Sequence, residues 1–392
     1  MDRIAQKDKC TGCAACSFVC PKSCIKMTEQ GFNGLLPVLN LDNCINCGRC
    51  TLVCPVKTPM RKQSQIEVFA SWHSNVNMRS KCASSGTASA MYQEALRQGW
   101  CIVGAISVNA LDVEMVLSDT PDSIQEFCNS KYIFSNCEKL YPQIKSALNN
   151  GRKILFIGLP CQVAAICNLF KNKREQMILV DLVCHGTNAK AYLQQHIAKV
   201  EFETKSKVDK VIFREGERFL IKMLDKMGKI LYSESSWYKD MYQYGYHRGI
   251  FYWKNCYQCN YADPNRISDI TLKDYWGLGK SMPVVYPKER VSAVLVNSAR
   301  GAAFFKQCID SGYVIAHQRP LEEPIMGDSQ LQHPTLIKPE KLVFEKLMKR
   351  NNNNFEVAMS AIARKDLYRS IWYGQINRVK NMFYRVWYKI YH

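Results

Sequence analysis

Eight of the 19 cysteines lie in two runs of identical spacing near the amino terminus. Each run has the pattern Cys-x2-Cys-x2-Cys-x3-Cys-Pro, over Cys10–Pro21 and Cys44–Pro55. Three thiolates in so short a loop can occupy three corners of a 4Fe-4S cube, whereas the fourth cysteine points away and ligates the neighbouring cluster. The spacing therefore predicts two 4Fe-4S clusters. Their ligands are Cys10, Cys13, Cys16 and Cys54 for the first cluster, and Cys44, Cys47, Cys50 and Cys20 for the second.

The segment that carries these runs resembles a bacterial two-cluster ferredoxin over residues 1–62. Zinc is the competing metal because it favours Cys-x2-Cys pairs, but two runs of four cysteines are not typical of a zinc knuckle. Cys24 lies outside the pattern, and we interpret it as a small buried apolar residue. A hairpin is predicted between the runs, over GFNGLLPVLNLDN. Paired clusters only conduct single electrons, so a reaction centre is expected further along the chain.

Length and composition limit the class of protein. A chain of 392 residues that is 47% hydrophobic usually forms two or three domains with real cores. The first residues lack the apolar stretch of a signal peptide, and no apolar run reaches the roughly 18 residues of a membrane span. We therefore expect a cytoplasmic protein, in which many cysteines indicate metal ligation rather than disulfides. The net charge of +19 favours a polyanionic partner, with a merely solubilising surface charge as the alternative.

The rest of the chain must supply the elements that position a reaction centre. From Ser80 onward, apolar runs and turn residues predict alternating helices and strands. A helix is expected between Ser84 and Gly99 and another from Pro160, with strands over CIVGAISV, RKILFIG and MILVDLVC. Strands dominate after residue 208, and residues 61–81 are interpreted as a connector with a short strand. The predicted fold class is α+β, with a ferredoxin domain followed by an α/β body.

Four further cysteines follow strand ends or loops, where α/β sheets bind ligands. These are Cys161, Cys184, Cys256 and Cys259. They include one Cys-x2-Cys pair and could hold a third 4Fe-4S cluster. The alternative is ordinary buried thiols together with a structural zinc pair.

Several polar residues of the body could serve a cofactor or a reaction. The turn Ser84–Gly86 precedes a helix, and free amides there favour a phosphate. Lys131 and Tyr132 could contact a phosphate or the edge of an isoalloxazine ring. His185 is a candidate proton donor, and the alternative is that it only orients its loop. Asp269 and Asp274 flank a predicted strand and could bind a ribose hydroxyl or an arginine such as Arg266.

Six stretches occur in an order that resembles one known family. They are CASSGTAS, NSKYIFS, LFIGLPCQVAAI, DLVCHG, CYQCNYADPNRISDITLKDYWG and VSAVLVN. Together they resemble the coenzyme F420 hydrogenase/dehydrogenase beta-subunit family from Arg79 to Ser329. The chain has SSGT, NSKY, GLPCQ and CHGTNA where the family usually has SSGG, GSKY, GTPCQ and CHGVPS, and none of these changes removes a cysteine.

The resemblance implies cofactors and their binding residues. It implies that FAD lies against Ser84, Ser85, Gly86, Asn129, Ser130, Lys131 and Tyr132. It also favours the third 4Fe-4S cluster and makes coenzyme F420 a candidate substrate. The resemblance implies the amino-terminal and carboxy-terminal family domains over 79–150 and 151–345, which follow the ferredoxin domain over 1–62. The sequence itself indicates a tail over 355–392, which the asparagine run at 351–354 is expected to separate from the body.

In the tail, apolar residues at alternating four- and three-residue steps share one helical face. They are Trp372, Ile376, Val379, Phe383, Val386 and Ile390. A basic, aromatic amphipathic helix of this kind can lie on an anionic membrane, here at the inner face. The alternative is that its apolar face docks on the body or on a second subunit.

These features together predict an iron–sulfur flavoprotein oxidoreductase. It would pass electrons between 4Fe-4S clusters and FAD to reduce or oxidise an unidentified, ferredoxin- or deazaflavin-linked substrate or coenzyme. An acidic ferredoxin is the expected electron partner because the chain is basic. The alternative is a non-catalytic relay subunit of a larger redox complex. We do not expect nucleic-acid binding, since only the tail has aromatic residues interleaved with Lys and Arg. The sequence predicts no particular oligomeric state.

Overall fold

The computed structural model describes residues 4–216, 218–235, 239–286 and 288–364. The strands are β1 Ile25–Glu29, β2 Leu35–Leu39, β3 Glu67–His73, β4 Cys101–Ser107, β5 Val113–Ser118, β6 Ser135–Asn136, β7 Ile154–Gly158, β8 Met177–Leu182, β9 Lys210–Glu215, β10 Arg218–Leu224, β11 Ile230–Glu234, β12 Ile270–Asp274, β13 Ser292–Val296 and β14 Val314–Gln318. The α-helices are α1 Ala15–Val19, α2 Arg49–Val53, α3 Val76–Lys81, α4 Thr87–Arg97, α5 Ser123–Phe127, α6 Leu140–Asn149, α7 Pro160–Leu169, α8 Lys190–Thr204, α9 Met241–His247, α10 Ala299–Asp310, α11 Glu323–Met326 and α12 Pro339–Arg350. Most of the predicted helices and strands are present, and the predicted fold class of a ferredoxin domain before an α/β body is confirmed.

A nine-stranded mixed sheet forms the centre of the body, in the order β14-β3-β13-β12-β8-β7-β4-β5-β6. The four strands β12, β8, β7 and β4 run parallel to one another, whereas most outer strands pair antiparallel. Strands β7 and β8 are buried along almost their whole length, as expected for parallel strands covered on both faces. Because they are parallel, their carboxyl ends share one edge of the sheet. The chain continues there to Cys161 and Cys184.

Helices cover both faces of this sheet. In β7, Ile154 and Phe156 belong to the core under α6, α7 and α8, whereas Leu155 and Ile157 belong to the core under α4 and α10. This alternation results from the two-residue period of a strand. The three layers hold the end of β7 rigidly, so the residues after it have a fixed position.

The ferredoxin domain packs on the α6 and α7 side of the body. Its hairpin pairs β1 with β2, and its helices α1 and α2 contact α7. The amide side chain of Asn168 donates to the carbonyl of Thr58 at 2.9 Å, and the hydroxyl of Tyr141 donates to the carbonyl of Cys13. Ala165 is fully buried against Cys13 and Ala15. Helix α7 therefore connects the sheet edge at Cys161 directly with the ferredoxin loops.

The segment predicted as a connector is structured differently. Residues 67–73 form β3, a central strand paired with β13 on one side and β14 on the other. Val68 and Ala70 are fully buried, but Glu67 and Ser71 interrupt the apolar pattern. Both partner strands come more than 200 residues later, so local pattern alone did not indicate a central position.

One smaller expectation also changes. The asparagine run does not separate the next segment from the body, because residues 355–364 are helical and bury Phe355 and Met359 in the main core. The predicted amphipathic stripe from Trp372 to Ile390 lies outside the described residues.

Within the ranges that the structure describes, every helix is too short or too polar to span a membrane.

A buried ionic network fixes the carboxy-terminal part of the body to α8. The His196 ring lies 2.8 Å from Oδ2 of Asp240 and 2.7 Å from Oε1 of Glu356. Burial opposes the charged imidazolium, but Asp240 and then Glu356 outweigh it and raise the pKa of His196 to about 9. The network therefore joins three segments that are distant in sequence.

We expect this network to make stability depend on pH. Because the folded pKa of His196 lies above its unfolded value, the contribution is complete below about pH 6.5 and is lost as pH rises to about 9. The loss should be on the order of 3 kcal/mol. Anaerobic thermal unfolding between these pH values measures it. His196→Gln should flatten the decline, whereas the exposed His333→Gln should leave it unchanged; an equal slope in both variants would contradict the assignment.

Candidate functional site

The two ferredoxin cysteine runs fold into equivalent loops. Gly12 and Ala14 in the first loop, and Asn46 and Gly48 at the matching positions of the second, all have left-handed backbone angles, with φ of 66°, 61°, 60° and 70°. Such turns direct backbone amides toward the inside of a loop, where they favour anionic groups. The amide of Gly12 donates to Sγ of Cys10 at 3.5 Å. The loops thus present amides as well as thiols to whatever they enclose.

The first cysteine group consists of Cys10, Cys13, Cys16 and Cys54. Burial raises the pKa of Cys10 to about 12, opposed by the Gly12 amide and reinforced by the thiols of Cys13 and Cys54. The pKa of Cys16 is raised by burial and then by the other three members. With their pKa values raised, these buried thiols can become thiolates together only around a positive centre. The group therefore fits the predicted ligand set of one 4Fe-4S cluster, including the fourth cysteine from the other run.

The second cysteine group consists of Cys20, Cys44, Cys47 and Cys50. Cys20 lies near the second run, because the thiols of Cys20 and Cys44 are both close neighbours of the Cys24 thiol. The amide of Cys24 donates to Sγ of Cys20 at 3.2 Å. Cys24 is buried, as predicted, but its contact with two candidate ligands was not predicted. Cys47 is exposed, so this group is the one nearest to solvent.

The third cysteine group consists of Cys161, Cys184, Cys256 and Cys259, which surround one cavity of about 310 Å³. Burial raises the pKa of Cys161, and Cys184, Cys259 and Cys256 raise it further. Backbone amides donate to two of the sulfurs, from Thr187 to Cys256 and from Tyr261 to Cys259, each at 3.4 Å. The structure thus brings together four thiols that are nearly 100 residues apart in sequence.

The third group lies beside the first. After burial and the other thiols of its own group, Cys13 of the first group also raises the pKa of Cys161. Tyr261 is a close neighbour of Cys161, Cys13 and Cys259. Among the described residues no three Cys, His, Asp or Glu side chains converge closely enough to hold a single metal ion. A 4Fe-4S cluster binds one thiolate at each iron, so its ligands surround a larger volume than those of one ion.

A larger cavity of about 600 Å³ adjoins the third group at the same edge of the sheet. It is lined by the ends of β7, β8 and β12, the turn before α4 and the loop after α5. Its walls include Ser84, Gly86, Asn129, Ser130, Lys131, Tyr132 and His185. Cys184 and His185 line both cavities. The structure therefore brings six of the seven predicted cofactor residues and the predicted proton donor to one space.

One predicted cofactor residue lies behind the wall of this cavity. Ser85 is fully buried, and its hydroxyl donates to Oγ of Ser292 at 2.6 Å and lies 2.7 Å from Oγ1 of Thr87. It therefore supports the turn from behind. Ser84 and Gly86 border the open space, and Gly86 has φ of +78° at the N-cap of α4.

The loop after α5 is held by its own lysine. Nζ of Lys131 donates to the carbonyls of Cys128 and Glu126 at 2.9 and 3.1 Å. Burial lowers the pKa of Lys131 to about 8. The Tyr132 ring stacks on Tyr246, with ring centres 4.5 Å apart. Lys131 thus organises the loop, and Tyr132 gives the cavity an aromatic wall.

His185 lies between the two cavities. Its ring packs against Trp276, with centres 5.3 Å apart, and burial lowers its pKa. Its carbonyl accepts the hydroxyl of Thr335 at 2.7 Å. The backbone is therefore fixed while the imidazole remains at the cavity wall.

Several wall residues were not predicted from the sequence. Arg214, Tyr246, His247, Lys273 and Trp276 all line the larger cavity. Lys273 and Trp276 belong to CYQCNYADPNRISDITLKDYWG, one of the six stretches that carry the family resemblance. That stretch could therefore have indicated them as site residues. Arg214 lies in β9, and Tyr246 and His247 lie in α9. Neither element carries a sequence motif that indicates a site.

The two aspartates near β12 bind arginines, but neither binds the expected one. Asp269 pairs with Arg174 at 2.7 Å, and Asp274 pairs with Arg214 at 2.9 Å. Arg266 instead pairs with Asp181 at 2.9 Å, with both side chains buried. Only Asp274 borders the larger cavity. Asp269 is therefore a structural residue.

Two family models match the chain. Residues 9–58 match the 4Fe-4S dicluster domain, and residues 151–320 match the C terminus of the coenzyme F420 hydrogenase/dehydrogenase beta subunit. Residues 151–320 are therefore a domain of the coenzyme F420 hydrogenase/dehydrogenase beta-subunit family. The recognition predicted from the sequence, a two-cluster ferredoxin segment before a segment of this family, is confirmed. No functionally curated protein matches the chain.

Among solved structures, this chain is similar to a chain of the F420-reducing NiFe hydrogenase complex from Methanosarcina barkeri. The identity is 17%, the match covers 78% of this chain and 94% of that chain, and the TM-score is 0.44.

Proposed function

We propose that this protein is an iron–sulfur flavoprotein oxidoreductase that passes electrons between its 4Fe-4S clusters and FAD and so reduces or oxidises a substrate or coenzyme. The observation that carries this proposal is the shared wall of the two cavities. Cys184 and His185 border both the third cysteine group and the larger cavity. A cluster in the first space and a cofactor in the second would therefore be immediate neighbours.

The larger cavity has the properties that FAD needs. Its volume lies within the roughly 300–1,000 Å³ of typical ligand pockets. The amino-terminal end of α4 and the cations of Lys131 and Arg214 favour a diphosphate. Tyr132 and Tyr246 supply an apolar aromatic wall. FAD, when bound, exchanges two electrons with a substrate and single electrons with clusters.

The cysteine groups define a path for electrons. The second group, with exposed Cys47, faces solvent; the first group adjoins the third; and the third adjoins the larger cavity. Ile45 and Leu52 expose 57% and 66% of their surface beside the second group, with exposed Arg49 between them. We propose that an acidic ferredoxin docks here, since opposite charges steer association.

His185 is the proposed catalytic residue. Its imidazole reaches the larger cavity from a backbone fixed at Thr335, so it can hold a proton at the wall near a bound substrate. Coenzyme F420 is one candidate for that substrate. The alternative function, a relay without a substrate, would require a partner that covers this cavity.

Anaerobic purification followed by iron, sulfide and flavin analysis tests the proposal. We expect about twelve irons per chain, from three 4Fe-4S clusters, and one flavin. About eight irons would leave the third group without a cluster, and a chain without flavin would overturn the flavoprotein assignment. Reduction assays with reduced ferredoxin and with the reduced deazaflavin then separate the two candidate donors. Turnover of neither, with full cofactor content, would favour the relay.

A further inference from the structure

Two cysteines outside the three groups form a close pair on the wall of the larger cavity. The sulfurs of Cys82 and Cys128 are 3.4 Å apart. The hydroxyl of Ser89 lies 3.2 Å from Sγ of Cys82 and 3.4 Å from Sγ of Cys128. A disulfide has a sulfur–sulfur distance of about 2.05 Å, so only a small side-chain movement would join them.

The surroundings of the pair favour a reactive thiolate at Cys128. The Cys82 sulfur lies 3.2 Å from the carbonyl of Met78, to which its thiol can also donate. Its hydrogen bond with Cys128 lowers the pKa of Cys128 to about 6, against the effect of burial and with help from Ser89, Lys131 and Lys81. The same contact raises the pKa of Cys82. One sulfur is thus prepared to attack and the other retains its proton, which is the division of roles in dithiol redox centres.

The two cysteines occupy equivalent places in the architecture. Cys82 is the C-cap residue of α3, one residue before the turn Ser84–Gly86, and Cys128 is the C-cap residue of α5, directly before the loop that starts at Asn129. A bond between them would link the two loops that line the larger cavity. Neither residue belongs to a cysteine group or adjoins one in sequence.

We propose that Cys82 and Cys128 are a redox-active dithiol that reduces a low-molecular-weight disulfide and closes into an intramolecular disulfide. The Cys128 thiolate attacks one sulfur of the reagent, the reagent disulfide breaks, and one thiolate leaves. Cys82 then gives its proton to that thiolate and, now a thiolate itself, attacks the mixed disulfide at Cys128, releasing the second thiolate. That thiolate takes up from water the proton that Cys128 released on ionising, so two protein thiols are oxidised to one disulfide and the reagent disulfide is reduced to two thiols. This reaction requires no flavin, so it stands apart from the proposed function.

Peptide mapping tests the bond. Anaerobic holoprotein is incubated with oxidised glutathione, quenched with acid and an alkylating reagent, and digested without reduction. We expect a Cys82–Cys128 linked peptide that disappears when reduced glutathione is added in excess. Cys128→Ser should abolish this peptide and leave Cys82 alkylated, whereas Cys101→Ser, at a buried cysteine of β4, should leave the yield unchanged. No linked peptide at any glutathione ratio would overturn the proposal.

Alkylation kinetics test the division of roles. At pH 7 we expect iodoacetamide to modify Cys128 at least about tenfold faster in wild type than in Cys82→Ala, because the substitution removes the donor that stabilises the thiolate. The wild-type rate should rise through pH about 6. The charged or titratable groups that face the pair are Lys81, Tyr92, Lys131 and Arg290. Equal rates in wild type and Cys82→Ala would show that the two thiols are merely adjacent.

Discussion

Replacing Cys161 with serine should lower the iron content from about twelve to about eight irons per chain. Cys161 lies at the first turn of α7, where burial and three neighbouring thiols raise its pKa. These four cysteines can become thiolates together only if a cation offsets the repulsion between their charges. A serine hydroxyl remains protonated at neutral pH and cannot replace the thiolate. Iron and sulfide analysis, with the paramagnetic signal after dithionite reduction, measures the loss.

A second cysteine of the same helix provides the control. Cys167 is also buried, but its charged neighbours are Arg174, Asp269 and Arg300 instead of other thiols. Cys167→Ser should therefore retain all the iron. If both variants lost the same share, the loss would reflect damage to α7, and if Cys161→Ser kept about twelve irons, Cys161 would not be a ligand. The variant should also retain its flavin, because Cys161 does not line the larger cavity.

The same substitution has a consequence for electron flow. Without the third cluster, the first cysteine group would be separated from the larger cavity by the region around Tyr261. Reduction of the flavin by reduced ferredoxin should then slow by far more than the fraction of iron that is lost. Reduction by a reagent that enters the larger cavity directly should be unaffected. If flavin reduction slowed in both assays only in proportion to the iron lost, the proposed order of the clusters and the flavin would be contradicted.

The parts of the site that could be predicted were those with local spacing. The ferredoxin ligands lie three or four residues apart within each run, and cluster geometry constrains such short loops directly. The turn before α4 was predicted for the same reason, since Gly86 and the serines before it mark the start of a helix. The strands β7 and β8 were visible as continuous apolar runs, and their parallel pairing explains why Cys161 and Cys184 meet.

The parts that could not be predicted depend on contacts between distant segments. The strand β3 becomes central only because β13 and β14 enclose it from the other end of the chain. Arg214 reaches the larger cavity because it pairs with Asp274, 60 residues later. The Cys82–Cys128 pair joins two helix ends that share no motif. In each case the residue type was evident from the sequence, but its contacts depend on a distant segment and could not be predicted from local pattern.

Replacing Gly86 with valine should weaken flavin binding at least about tenfold, a loss of about 1.4 kcal/mol. Gly86 has φ of +78°, where a β-carbon costs about 1–2 kcal/mol. A Cβ there would also meet Cβ of His73 at 3.0 Å and Cα of Arg79 at 3.4 Å. The strain can be relieved only by moving the turn, and that movement displaces the wall of the larger cavity. Flavin content after purification and the Kd from titration of flavin-free protein measure the effect.

The other end of the same helix offers a matched control. Gly99 follows α4 with φ of +73°, but a Cβ there would meet nothing within 4 Å. Gly99→Val therefore carries similar backbone strain without crowding and lies away from the larger cavity, so it should lower the unfolding temperature while flavin affinity is retained. Iron content should stay the same in both variants, because neither residue lies among the cysteine groups. Equal flavin loss in the two variants would attribute the effect to helix stability, and normal flavin binding in Gly86→Val would remove the turn before α4 from the flavin site.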